Sequence, residues 1–150
     1  MVATIFVPLL AALIGASTNA PSVQTAVPGW TALPLQAGEY RRYERTNRQG
    51  FTSLLVANDQ ICRCQPKEFS RELSTALAKV PGSTVKIAPS TICGEPGEYT
   101  IGTGLARTVG RHNLEVYAFR KNGTFYVLED IFDSPAPSPA AHELLAALCP

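Results

Sequence analysis

The sequence predicts an α+β fold in which an antiparallel or mixed β-sheet is packed by an amphipathic helix and a short C-terminal helix. Three observations carry this expectation. "PKEFSRELSTALAKV" (66–80) repeats its apolar positions at a helical period, through Phe69, Leu73, Leu77 and Val80. Two pairs of strand-like runs, at 39–58 and 113–132, are each joined by a short turn rich in Gly and Asn. A leucine-bearing run, "AAHELLAAL" (140–148), ends the chain behind a proline-rich connector. At 150 residues the chain has room for one real core and too little for two.

No Asp, Glu, Lys or Arg precedes Glu39, so the first 38 residues need an explanation of their own. Ile5 to Ala16, "IFVPLLAALIGA", has the length of the apolar part of a secretory signal, and Ser17, Thr18 and Asn19 follow it. The run is too short for a membrane span, which needs about 20 apolar residues. The expected division is a signal peptide over 1–20, an extended segment over 21–38 containing Pro21, Pro28 and Pro34, and a single domain over 39–150. Trp30, the lone tryptophan, is expected to touch the core.

The first strand pair is "EYRRYERT" (39–46) and "FTSLLVAN" (51–58), turning at Asn47–Gly50. Arg41, Arg42, Arg45 and Arg48 make it the most basic stretch and the candidate binding surface. With Glu39 and Glu44 in the same run, a solvated strand whose arginine stems cover apolar neighbours is the simpler reading. Formal net charge is only +1, which argues against a nucleic-acid partner, since phosphate binding leaves a strongly basic footprint.

Pro66 suits the first turn of the main helix, where its missing N–H costs nothing, and Pro81–Gly82 stops it. Glu68 lies near the positive end of the helix dipole and Lys79 near the negative end. "STVKIA" (83–88) alternates as a strand, "STICGEPGE" (90–98) reads as a loop, and "YTIGTGLART" (99–108) alternates again. Gly102 and Gly104 mark a bent or closely packed strand, because no Lys and no helix pattern follow them as in a phosphate loop. "NLEVYAFR", "KNG" and "TFYVLEDIF" (113–132) form the clearest hairpin, apolar on both faces and therefore central. Asn122-Gly123-Thr124 also fits an N-glycosylation sequon, although turn chemistry accounts for Asn-Gly.

Sites for chemistry are sparse. His112 and His142 are the only histidines, and Ser74 lacks a nucleophile elbow. Glu129, Asp130 and Asp133 cluster at a strand end without the spacing of a calcium loop, so solvated acids are expected there and no catalytic or metal residue is assigned. Cys62, Cys64, Cys93 and Cys149 do not form the paired C-x-x-C knuckles of a zinc site, and C-x-C is not the usual redox motif. In an exported protein they read as two disulfides. Three pairings are open. Both helices on one sheet face would bring the start of the first near the end of the last, which favours Cys64–Cys149 with Cys62–Cys93. The main rival is Cys93–Cys149 with a small Cys62–Cys64 ring.

The order of elements, with Gly29-Trp30 near the mature start, "PKEFSRELSTALAKV" as the first helix and "GTFYVLEDIF" as the late strand, resembles the exported PsbP-like α/β/α sandwich group over residues 29–148. The resemblance implies a sandwich fold and an exported setting, and carries over no functional residue. Two functions follow as expectations. One is a secreted or periplasmic, disulfide-stabilised, non-enzymatic binding or assembly module, without cofactor, membrane span or nucleic-acid partner, acting on an unknown protein or small molecule of the cell envelope. The other is a small secreted hydrolase using His112 or His142 with the Glu129–Asp133 acids.

Overall fold

The computed structural model describes residues 24–48, 50–58, 64–106 and 111–150; the apolar run at 5–16, Pro21 and Cys62 fall outside them. Seven strands form one sheet: β1 (Thr31–Ala32), β2 (Glu39–Asn47), β3 (Gly50–Asn58), β4 (Thr84–Ile92), β5 (Glu95–Ala106), β6 (Arg111–Lys121) and β7 (Thr124–Phe132). Their spatial order is β1-β2-β3-β7-β6-β5-β4, and every neighbouring pair is antiparallel. Helix α1 (Pro66–Ala78) carries the chain from β3 to the far edge, and α2 (Pro139–Ala147) closes the fold.

Strand alternation sorts the core into two layers. Leu114, Val116 and Ala118 of β6, with Phe125 and Val127 of β7, pack on Leu73 and Leu77 of α1. Phe119 of β6 and Leu128 of β7 belong instead with Tyr43, Leu54, Val56 and Ile92, under Ala141, Leu144 and Leu145 of α2. The helices therefore cover opposite faces, which corrects the expectation that both lie on one face. With β6 and β7 apolar on both sides, a single-faced arrangement would leave half of the central hairpin in water.

Local chemistry explains the element ends. Gln65 precedes α1 and its N–H donates to Glu68 Oε2 at 3.2 Å, with Pro66 at the first helical position. Ser138 caps α2, its Oγ accepting from Ala141 N at 3.1 Å. Phe51 N donates to Asp133 Oδ1 at 2.8 Å, tying the start of β3 to the residue after β7.

Residues 90–98, expected as a loop, are largely strand: β4 runs to Ile92 and β5 begins at Glu95. The connection is only Cys93–Gly94, with φ of 54° and 78°, matching the turn at Asn122–Gly123, with φ of 51° and 79°. Both have the positive φ at two successive residues that a tight hairpin demands. Pro89 and Pro96 are tolerated because β4 is an edge strand and β5 pairs with β6 only from Gly97 onward. Gly102 is packed by Leu77 of α1, and the register between β5 and β6 shifts between Gly102 and Leu105, so the glycine-rich strand is both crowded and bulged.

Residues 24–36 do not hang free of the sheet. The Gln24 side chain bonds the Leu33 carbonyl and accepts from Arg42 N at 2.6 Å, while Tyr43 Oη donates to the Thr25 carbonyl at 2.7 Å. Val27 and Trp30 pack on the α2-side core, as expected of the tryptophan. Among the described residues no helix is long and apolar enough to cross a membrane.

Candidate functional site: a buried acid pair and a pocket under α2

The sheet brings together residues that are far apart in sequence. Glu115 sits in the middle of β6, between β5 and β7, on the face covered by α2, so it has no route to water and is fully buried. In the β6–β7 register Glu115 stands directly opposite Asp130, which is also fully buried. Tyr99 of β5 donates its Oη proton to Glu115 Oε2 at 2.9 Å. His142, on the first turns of α2, reaches Glu115 Oε1 through Nε2 at 2.7 Å, with its ring 45% exposed at the surface.

Two ionised carboxylates can only accept hydrogen bonds, and in that state neither Asp130 oxygen has a partner. A proton on Asp130 turns it into a donor facing Glu115. Its pKa is accordingly pushed up to about 8, first by burial, then by the charge of Glu115, the hydrogen bond to Glu115 and the charge of Glu129, with Arg45 pulling the other way. Burial and the negative charge of Glu115 also raise the phenols of Tyr99 and Tyr117 far above their ordinary value, so both remain neutral donors. Their rings tilt against each other at 4.8 Å, and Tyr117 meets the His142 ring edge-on at 6.4 Å.

Beside the acid pair lies a pocket of about 370 Å³. Its floor is the sheet, at Ile92, Tyr117 and Leu128, and its roof is α2, at His142, Leu145 and Ala146. The Cys93–Cys149 disulfide and Thr91 complete the lining. Helix α2 is held at both ends over this space: Ser138 Oγ accepts from Arg45 Nη2 at 3.3 Å before it, and the bridge to the β4–β5 turn follows it.

That bridge replaces the favoured Cys64–Cys149 and Cys62–Cys93 pairing. Cys149 follows α2, the helix on the face opposite α1, and the Cys93 turn lies on the same side of the sheet, with Cα atoms 5.5 Å apart. Cys64 is also disulfide-bonded.

The other residues singled out in the sequence are dispersed. Arg41 Nη1 donates to the Tyr40 carbonyl at 2.7 Å and Arg42 pairs with Glu39 at 3.2 Å. The Arg45 guanidinium lies 4.6 Å over the Trp30 ring, and Arg48 is exposed in the β2–β3 turn. Strand alternation puts Arg41 and Arg45 on the α2 face and Arg42 on the α1 face, so the four do not share one surface. Glu129, Asp130 and Asp133 separate in the same way: Glu129 faces the α1 side, Asp130 the α2 side, and Asp133 the β3 end. His112, in edge-on contact with Phe51 at 6.4 Å, is on the α1 face, away from His142.

No protein-family model matches the chain, and no curated protein matches it. Among solved structures it is similar to one described as the crystal structure of LpqN involved in cell envelope biogenesis of Mycobacterium tuberculosis. The identity is 15%, over 91% of this chain and 84% of that one, with a TM-score of 0.48. A likeness this distant speaks to neither family membership nor activity.

Proposed function

We propose that the chain is an exported, non-enzymatic binding module of the cell envelope, and that its ligand occupies the pocket between α2 and the sheet. The observation that carries this reading is the pocket itself: a concave, largely apolar space in a small domain, with one polar residue of adjustable hydrogen bonding, His142, in its wall. A disulfide frames the pocket, which suits an oxidising compartment, and the apolar run at 5–16 suits export. The PsbP-like resemblance belongs to the same reading, supported by a sheet with a helix on each face.

A hydrolase is the competing reading, and the Glu115–His142 contact is the observation in its favour, since a carboxylate orienting an imidazole is half of a nucleophilic triad. Among the described residues no hydroxyl or thiol is hydrogen-bonded to His142 in the position of the third member. Binding without turnover accounts for the same geometry with fewer parts.

Native mass spectrometry of the protein purified from its own envelope tests the proposal. A small-molecule adduct on the wild-type chain that is lost on Ala146→Trp, which fills the pocket from an exposed helix position, is the expected result. An adduct retained by that variant, or capture of a protein that binds wild type and variant equally, would place recognition elsewhere.

A further inference from the structure

The hydrogen bonding around His142 specifies which ligand chemistry the pocket accepts. Glu115 already accepts from Tyr99, and its second oxygen faces His142 Nε2, so that nitrogen carries the proton and donates inward. In the neutral imidazole this leaves Nδ1 as a lone-pair acceptor on the other side of the ring. The rest of the lining offers no charge: Thr91, Ile92, Tyr117 and Leu128 on the sheet side, Leu145 and Ala146 on the helix. Behind the ring stand Glu115 and Tyr117 from β6, Tyr99 from β5, Asp130 from β7 and, nearer β2, Arg45.

Each class of ligand head meets this differently. Against the neutral imidazole a carboxylate or phosphate would bring an acceptor to an acceptor, with the buried Glu115 one ring-width behind it. An ammonium group could donate to Nδ1 as well, but the imidazole covers the Glu115 Oε1 atom and the tyrosine covers Oε2, so its charge would be desolvated without a carboxylate in direct contact. A hydroxyl loses little on leaving water and supplies the proton that Nδ1 lacks.

We propose that the pocket takes an uncharged amphiphile, with an apolar chain or ring system between Tyr117, Leu128 and Leu145 and a terminal hydroxyl donating to His142 Nδ1. This rests on the reading of the pocket as the ligand site. The volume of about 370 Å³ is at the small end of the range of roughly 300–1,000 Å³ for such sites, room for one chain and not for a two-chain lipid.

Isothermal titration calorimetry at neutral pH with four probes of similar length, 1-octanol, heptyl methyl ether, octanoate and octylammonium, tests the assignment. Octanol is expected to bind about tenfold more tightly than the ether, the difference of one hydrogen bond, and to exceed both charged probes. His142→Gln, whose amide can donate to Glu115 and accept from the ligand, should keep this preference, and His142→Leu should erase it. Ala146→Trp, at an exposed position that leaves the core intact, should abolish octanol binding. Because the ether comparison is made on the wild-type protein, the result stands even where a His142 variant fails to fold. An ether as good as the alcohol, or a charged probe that binds more tightly, overturns the hydroxyl assignment while leaving the pocket as a ligand site. No binding by any probe, or octanol binding that survives Ala146→Trp, overturns both.

Discussion

Glu115 and Asp130 face each other across β6 and β7, both fully buried, and burial beside Glu115 favours the protonated form of Asp130. Asp130 is raised from its unfolded value of 3.8 to about 8, so between those values the folded chain holds a proton that the unfolded chain has released. The stabilisation is fully present below the unfolded value and is lost as pH rises through the folded one. Chemical denaturation should show stability falling between about pH 5 and 8, with a slope approaching about 1.4 kcal/mol per pH unit for one proton, and levelling off above that. Asp130→Asn, which keeps a donor opposite Glu115, should flatten the slope; an unchanged slope would mean that another group carries it.

His142 and Tyr99 each satisfy one oxygen of a carboxylate that has no access to water. Tyr99→Phe should cost about 1–3 kcal/mol in urea denaturation, the penalty of a buried charged acceptor left short of a donor. In a Glu115→Gln background the same change should cost less, because the amide is neutral, and equal costs in both backgrounds would show that the hydroxyl is not serving that charge.

Gly97 has the Ala118 carbonyl oxygen and the Phe119 Cβ where its own side chain would stand. Gly97→Ala should therefore destabilise the domain by about 2 kcal/mol or more through forced movement of β5 against β6. Gly94→Ala meets open space and bears only the strain of its positive φ, about 1 kcal/mol. Thermal unfolding that ranks the two in the opposite order would argue against so close a β5–β6 approach.

Peptide mapping without reduction should recover Cys93 linked to Cys149, and Cys149→Ala should cost about 2–4 kcal/mol. In that background Cys93→Asn should be neutral, since Asn accepts a left-handed backbone, whereas Cys93→Val should cost about 1 kcal/mol more. Equal effects of Asn and Val would deny the turn its conformational demand.

Much of the candidate site was written in the chain but needed the hairpin register to be read. The Asn122–Gly123 turn pairs Lys121 with Thr124, and counting back along both strands puts Glu115 against Asp130. A charge in the middle of a strand apolar on both faces has nowhere to go but inward, so Glu115 is the informative residue of "NLEVYAFR", more so than the acids clustered at 129–133. The main helix, the 113–132 hairpin and the packed glycines of β5 follow directly from period and turn chemistry. The β4–β5 hairpin did not, because Cys-Gly is not a recognised turn pair and two prolines nearby suggested a loop. The expected disulfide pairing differs from the observed one for a topological reason: which face a helix covers depends on long-range packing that local periodicity does not encode.

The Cys93–Cys149 bond also decides how the molecule bears mechanical load. Without it, tension at Pro150 would unzip α2 from its C-terminal end, a few side-chain contacts at a time. With it, tension passes straight into the tip of the β4–β5 hairpin, and α2 lies outside the stressed path. Resistance then depends on many strand hydrogen bonds at once, and the pocket beneath the helix keeps its shape while the chain end is pulled.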